Sequence, residues 1–211
     1  MTHQHTDDPA DHFTREYWDG RYAGEQVWSG EPNPHLVTYA SQLQPGTALD
    51  FGSGEGADAI WLAQQGWRVT GIDISQVALD GSAARAERLG LDVTWVRGDA
   101  FEWSADQTYD LVSAQFMHLP RPAFVRLHGE LAASVAPGGT LLIVGHHPDD
   151  LGHAPERQAF DEIRFTADEV AATLDPSEWS SIEALRPERE WIDRDGHAAV
   201  AVDAVLCAVR R

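Results

Sequence analysis

The chain has 211 residues, 43% of them apolar, and carries 34 acidic against 15 basic side chains for a formal charge of −19 at pH 7. That length suits one well-buried core better than two independent domains. The negative field repels phosphate backbones and anionic membrane surfaces, which disfavours nucleic-acid and lipid partners, and no run approaches the roughly 18 apolar residues of a membrane span.

From the amino end, MTHQHTDDPADH is polar and acidic where a signal peptide needs a basic end and an apolar stretch, so residues 1–12 are expected to be a disordered tail and the protein cytoplasmic. Residues 13–23 and 34–43 are expected to form short helices, and 13–44 as a whole a cover or lid. TALDF (47–51) is a short buried strand, followed by the glycine run GSGEG and a helix over 57–65 that Gly66 stops. WRVTGID (67–73) is a second strand, a helix runs from Ser75 to about Leu89, and 92–98 and 109–116 are the third and fourth strands. Phe124, Leu127, Leu131 and Val135 recur at helical spacing before the Pro137-Gly138-Gly139 turn; TLLIVGHH (140–147) is the fifth strand, and a helix follows near 166–175. Residues 181–192 and 197–209 read as two strands joined by Asp193-Arg194-Asp195-Gly196, whose Asp-Gly step signals a hairpin. The expected fold is α/β: a Rossmann-like, seven-stranded, mostly parallel sheet with an antiparallel carboxyl-terminal hairpin and helices on both faces, its ligands outside the carboxyl ends of the strands. Residues 13–211 form a single domain in this reading.

The glycine loop Asp50-Phe51-Gly52-Ser53-Gly54-Glu55-Gly56 sits where a strand turns into a helix, letting the backbone approach a ligand closely. Gly52-x-Gly54-x-x-Ala57, with Asp73 about 20 residues on, also fits the dinucleotide fingerprint. Asp50 argues for a cofactor bearing an ammonium, because a pyrophosphate beside this carboxylate would be repelled. All 15 basic residues are Arg. The absence of Lys removes Walker-type phosphate loops, Schiff-base catalysis and the short-chain dehydrogenases, and the lone Cys207 removes disulfide frameworks and Cys-rich zinc sites.

LDFGSGEG, GIDIS, RGDAF, YDLVSAQFMHL and APGGTLLIV resemble, in order over residues 48–144, the successive motifs of class I S-adenosylmethionine-dependent methyltransferases. The preceding EYWDGRYAGEQVWSGEPNP is more loosely similar to the segment before the core in thiopurine and tellurite-resistance-type small-molecule methyltransferases. The resemblance implies S-adenosylmethionine as cofactor. It places Asp50, Gly52, Ser53 and Gly54 around the methionine part, Asp73 on the ribose hydroxyls, Ile74 on the adenine face, Asp99 and Ala100 on the adenine edge, and Gln115 facing the cofactor. It also makes Trp28, with Trp18, Tyr17 and Arg21, part of a lid. Phe116 and His118 would rim the acceptor pocket.

The implied reaction is in-line methyl transfer to a sulfur, oxygen or nitrogen of a small molecule, for which His118 and His146 are the candidate catalytic bases. Two alternatives stay open: a nicotinamide-dependent oxidoreductase, and a cofactor-binding domain without transfer activity. The motif Asp/Asn-Pro-Pro-aromatic of amino-methylating DNA enzymes is replaced here by Ser113-Ala114-Gln115-Phe116, which with the charge argues against a nucleic-acid substrate. His146 and His147, near Asp149, Asp150 and His153, suggest a metal pair, but neighbouring strand residues point to opposite faces, so no metal is expected.

Overall fold

Short apolar runs build a parallel centre, and a computed structural model describes it for residues 12–150, 163–192 and 198–211. The tail through residue 11, His153 and the Asp193–Gly196 turn lie outside the described residues. In chain order the elements are α1 (Arg15–Tyr22), α2 (Pro34–Ala40), β1 (Thr47–Phe51), α3 (Ala57–Gln64), β2 (Arg68–Asp73), α4 (Gln76–Arg88), β3 (Val93–Arg97) and β4 (Tyr109–Gln115). They continue with α5 (Arg121–Ala133), β5 (Val135–His146), α6 (Ala167–Ala171), β6 (Trp179–Leu185), β7 (Glu188–Ile192) and β8 (Ala198–Arg210).

The strands form one sheet in the order β3-β2-β1-β4-β5-β8-β6, with β7 also on β8. β1 to β5 pair in parallel, whereas β8 runs antiparallel to β5, β6 and β7. An antiparallel strand wedged between β5 and β6 separates this sheet from the all-parallel order of dinucleotide-binding domains.

Among the described residues the sheet has eight strands instead of the expected seven. The run expected over 181–192 divides at Arg186-Pro187, because Pro187 has no N–H for the ladder. The register on β8 nevertheless continues across the break, Leu185 opposite Val205 and Glu188 opposite Val202, and the Pro187 carbonyl still accepts from Asp203 N–H at 3.0 Å. A second difference concerns Val135, which stands in β5 and not in the preceding helix. The turn at Gly138, with φ of 78°, is absorbed as a bulge between the Tyr109–Val135 and Leu111–Thr140 pairs.

Helices cover both faces. Phe124, Leu127 and Leu131 of α5 and Val170 of α6 pack with Leu49, Phe51, Val112, Ile143 and Leu206 on one face. Leu36 of α2 and Ala59 and Leu62 of α3 pack with Ala48, Val69, Leu142 and Val205 on the other. Each fully buried Leu or Phe contributes roughly 1.5–3 kcal/mol, so this sandwich holds the strand ends in fixed positions. Side-chain caps set the helix starts: Ser75 Oγ accepts from Ala78 N–H at 3.2 Å to begin α4, and Thr166 with Glu169 forms a capping box on α6.

Candidate active site

Strand β1 delivers Asp50 and Phe51 to the carboxyl edge, and the chain then turns through Gly52, Gly54 and Gly56, all at positive φ (79°, 48° and 75°). The N–H groups of Gly52 and Ser53 both donate to the Ile72 carbonyl, at 2.7 and 2.9 Å, which straps the loop to the end of β2. A side chain on Gly52 would run into Met117 Sδ, so the glycine turn lies directly against the chain leaving β4.

Asp73 is a strut for this loop as well as a ribose candidate: its Oδ2 accepts from Gly54 N–H at 2.8 Å and its Oδ1 from Ser75 N–H at 2.9 Å. Asp50 is 2% exposed, and its Oδ2 has no hydrogen-bond partner. Burial, then the neighbouring Asp58 and Asp73 charges, push its carboxyl well above the usual range. Asp58, which accepts from Asn33 N–H at 2.6 Å, is pushed up to about 6 by burial, and burial raises Asp73 too. Two buried carboxylates, Asp50 and Asp73, with the partly buried Asp58 around one glycine turn fit a cationic ammonium and would repel a pyrophosphate.

The cover closes the loop from above. Glu55 accepts from the N–H groups of Val27 (3.1 Å) and Trp28 (2.9 Å), while Trp28 Nε1 donates to Tyr22 Oη at 3.1 Å. The Arg21 guanidinium stacks over Trp28 at 5.6 Å, and Tyr22 Oη stands nearest the point where a side chain on Gly54 would begin. Asp19 Oδ1 accepts from Ser75 Oγ at 2.7 Å, docking α1 on the start of α4. Glu55→Ala leaves the Val27 and Trp28 N–H groups without their charged acceptor, and about a tenfold weaker affinity for S-adenosylhomocysteine is expected, with a shifted Trp28 emission as the second readout.

Asp99 and Ala100 follow β3. Asp99 Oδ1 accepts from Phe101 N–H at 2.8 Å and Gly98 N–H donates to the Asp73 carbonyl at 3.0 Å, tying this turn to the end of β2. Arg126 of α5, which the sequence did not single out, clamps the turn by donating to the carbonyls of Ala100 (2.6 Å) and Trp103 (2.8 Å). Arg126→Ala is expected to cost about 2–3 kcal/mol and to lower Tm by roughly 5–10 °C in thermal unfolding.

At the ends of β4 and β5, Gln115 Nε2 donates to Ser113 Oγ at 2.6 Å and its buried Oε1 has no hydrogen-bond partner. Phe116 follows in the left-handed region (φ 56°), a conformation that costs a non-glycine residue energy and turns its ring toward His146, with ring centroids 4.6 Å apart. His118 Nε2 accepts from the backbone N–H of His146 at 3.0 Å; burial, followed by the His146 and Arg164 charges, lowers its pKa to about 3. His146 Nδ1 lies 3.1 Å from Asp150 Oδ2, whereas His147 Nδ1 accepts from Asp149 N–H at 3.0 Å. The adjacent histidines thus turn to different partners. Among the described residues no group of three or more His, Cys, Asp or Glu is arranged to hold a metal ion.

The structure therefore gathers Asp50, Gly52, Ser53, Gly54, Asp73, Ile74 and Trp28 around one loop, Asp99 and Ala100 beside it, and Gln115, His118 and His146 at the adjoining strand ends. An open depression of about 370 Å³ lined by Leu43, Pro45, Trp67, Asp110 and Thr140 lies at the opposite, amino-terminal ends of the strands. Ligands in such sheets bind outside the carboxyl ends.

Residues 48–139 match the family model described as a methyltransferase domain. A thiopurine S-methyltransferase of Pseudomonas putida is 34% identical over 101 residues, 43% of this chain and 47% of the relative. A ribosomal RNA small subunit methyltransferase C of Alcanivorax borkumensis is 32% identical over 107 residues, 49% of this chain and 33% of the relative. The chain thus spans about half or less of the length of these relatives. The N-methyltransferase NodS of Bradyrhizobium japonicum, solved with S-adenosylhomocysteine, superposes with a TM-score of 0.68 at 19% identity, covering 94% of this chain and 98% of that one. The fold is the one that this N-methyltransferase adopts. The segment over residues 48–139, from β1 into β5, is the part of the chain that is similar to a methyltransferase domain.

Proposed function

We propose that the protein transfers the methyl group of S-adenosylmethionine to a sulfur, oxygen or nitrogen of a small molecule, within one domain over residues 13–211 whose first 32 residues, 13–44, act as the lid. The observation that carries the reading is the Asp50, Asp58 and Asp73 cluster around the glycine turn, since an ammonium relieves its mutual repulsion. When bound, S-adenosylmethionine supplies an electrophilic methyl on a sulfonium. Asp50 would then pair with the ammonium, Asp73 accept from the ribose hydroxyls, Asp99 and Ala100 meet the adenine edge, Ile74 pack on its face, Trp28 close over the methyl donor as part of the lid, and Gln115 Oε1 receive a donor from the cofactor side. Holding acceptor, methyl and sulfur in line and excluding water accounts for most of such a rate enhancement.

The charge of −19 supports a small acceptor over a nucleic acid, and the single cysteine suits a reducing, cytoplasmic compartment. Among the described residues no helix is long and apolar enough to cross a membrane. Calorimetric titration with S-adenosylhomocysteine and with NADH tests the cofactor: micromolar binding of the first and none of the second is expected, and preference for NADH overturns the reading.

A further inference from the structure

We propose that the Tyr22 hydroxyl donates a hydrogen bond to the α-carboxylate of the bound cofactor, so that the segment before β1 recognises the amino-acid end of the ligand. The inference rests on the methyltransferase reading and adds a binding residue outside the glycine loop.

Tyr22 is the last residue of α1, and its ring stacks on Trp18 with centroids 5.7 Å apart and planes 26° apart. Its Oη accepts from Trp28 Nε1 at 3.1 Å. A phenolic hydroxyl both accepts and donates, and an indole N–H only donates, so Trp28 occupies the accepting side and the Tyr22 O–H is left to give its proton elsewhere. Among the described residues it donates to no group. Burial, then the Asp73 charge, pushes the phenol above its usual pKa, which keeps the hydroxyl a donor at neutral pH.

The place of this donor is set by Gly54. Tyr22 Oη lies 3.0 Å, and Trp28 Nε1 3.7 Å, from the point where a side chain on Gly54 would begin, so two polar tips stand over the middle of the glycine turn. Glycine leaves that space open.

The turn has spent most of its own donors. The N–H groups of Gly52 and Ser53 go to the Ile72 carbonyl, that of Gly54 to Asp73 Oδ2, and that of Gly56 to the Ser53 carbonyl at 2.8 Å. The carboxyls around it, Asp50, Asp58 and Asp73, attract the ammonium of an amino acid and repel its carboxylate. A zwitterion at this turn therefore needs donors from the opposite side, where Tyr22 stands. Arg21 adds positive charge there: its guanidinium lies 5.6 Å over Trp28, its charge acts on Tyr22, and it makes no ion pair among the described residues.

Calorimetry tests the assignment by comparing S-adenosylhomocysteine with its decarboxylated counterpart, S-adenosyl-3-thiopropylamine, on the wild type and on Tyr22→Phe, which keeps the ring on Trp18. Loss of the hydroxyl is expected to weaken the first ligand about 10- to 100-fold and the second by less than about twofold. A loss as large on the decarboxylated ligand would mean that Tyr22 merely holds Trp28 in place, and an unchanged affinity for S-adenosylhomocysteine that the hydroxyl faces elsewhere; either overturns the proposal. If the decarboxylated ligand binds neither protein, the carbon-13 signal of S-adenosylhomocysteine labelled in its carboxylate decides. It is expected to move between the wild-type and Tyr22→Phe complexes, and coincident signals overturn the proposal. Absence of S-adenosylhomocysteine binding to the wild type would instead sink the methyltransferase reading itself.

Discussion

Binding of S-adenosylhomocysteine is expected to release protons and to tighten as the pH rises above the ordinary carboxylate range, and Asp50→Asn is expected to remove most of both effects while weakening binding at least about 150-fold at pH 7.5. The cause is the burial of Asp50 with one oxygen unpartnered, its pKa raised by desolvation first and by Asp58 and Asp73 next. An ammonium beside it favours the ionised form, so in the window between its bound and free pKa the proton leaves as the ligand enters. Calorimetry in two buffers of different ionisation enthalpy counts those protons.

The same carboxyls act on folding with a definite sign. A group whose folded pKa is raised contributes stability below its unfolded pKa and loses it as the pH climbs through the folded value. For Asp58, pushed up to about 6, the loss reaches about 3 kcal/mol by pH 7. His118 and His128, lowered to about 3 and about 4 chiefly by burial, run the other way and destabilise the fold as the pH falls below about 6.5. Melting of the wild type mixes the two. The difference between wild type and Asp50→Asn isolates the carboxylates: the ligand-free variant is expected to be the more stable at pH 7.5, with the advantage gone by pH 4. Equal affinity in the two proteins and no proton release would refute the ammonium assignment.

The elements that position the cofactor side were legible because their signals are local. The buried run before Gly52, the Ser75 cap and the alternation of strands and helices all lie within a few residues of what they determine, and β1, α3, β2 and α4 stand where the pattern puts them. Pro187 was equally local, but its missing N–H was outweighed by the β-like run around it. What escaped the sequence is long-range and polar. Glu55 holding the backbone at Val27 and Trp28, Arg126 clamping Ala100 and Trp103, and Asp203 receiving His35 and Arg189 join positions 14–168 residues apart with no periodicity to betray them. The relation of His118 to His146 belongs to this group: two histidines are visible in the chain, but which one accepts a backbone N–H depends on where β4 and β5 end.

Asp73→Ala is expected to weaken S-adenosylhomocysteine binding about a thousandfold, since two charge-assisted bonds to ribose hydroxyls, each worth roughly 1.5–3 kcal/mol, disappear together. The variant also leaves the Gly54 and Ser75 N–H groups without their acceptor, so part of the loss reports the loop, and ligand-free melting measures that part. Asp73→Asn does not avoid it, because one of its two terminal atoms turns from acceptor to donor while both partners are donors. Binding of Asp73→Ala within tenfold of wild type would refute the ribose role. By itself Asp73 does not distinguish the ligands, for a nicotinamide dinucleotide also asks for an acid at this place. Asp50 does: its carboxylate attracts an ammonium and repels a pyrophosphate, so loss of S-adenosylhomocysteine in both variants with no gain of NADH in Asp50→Asn identifies the amino-acid end of the cofactor, whereas NADH binding that appears when the charge is removed would mean the cleft was shaped for a dinucleotide and Asp50 alone kept it out.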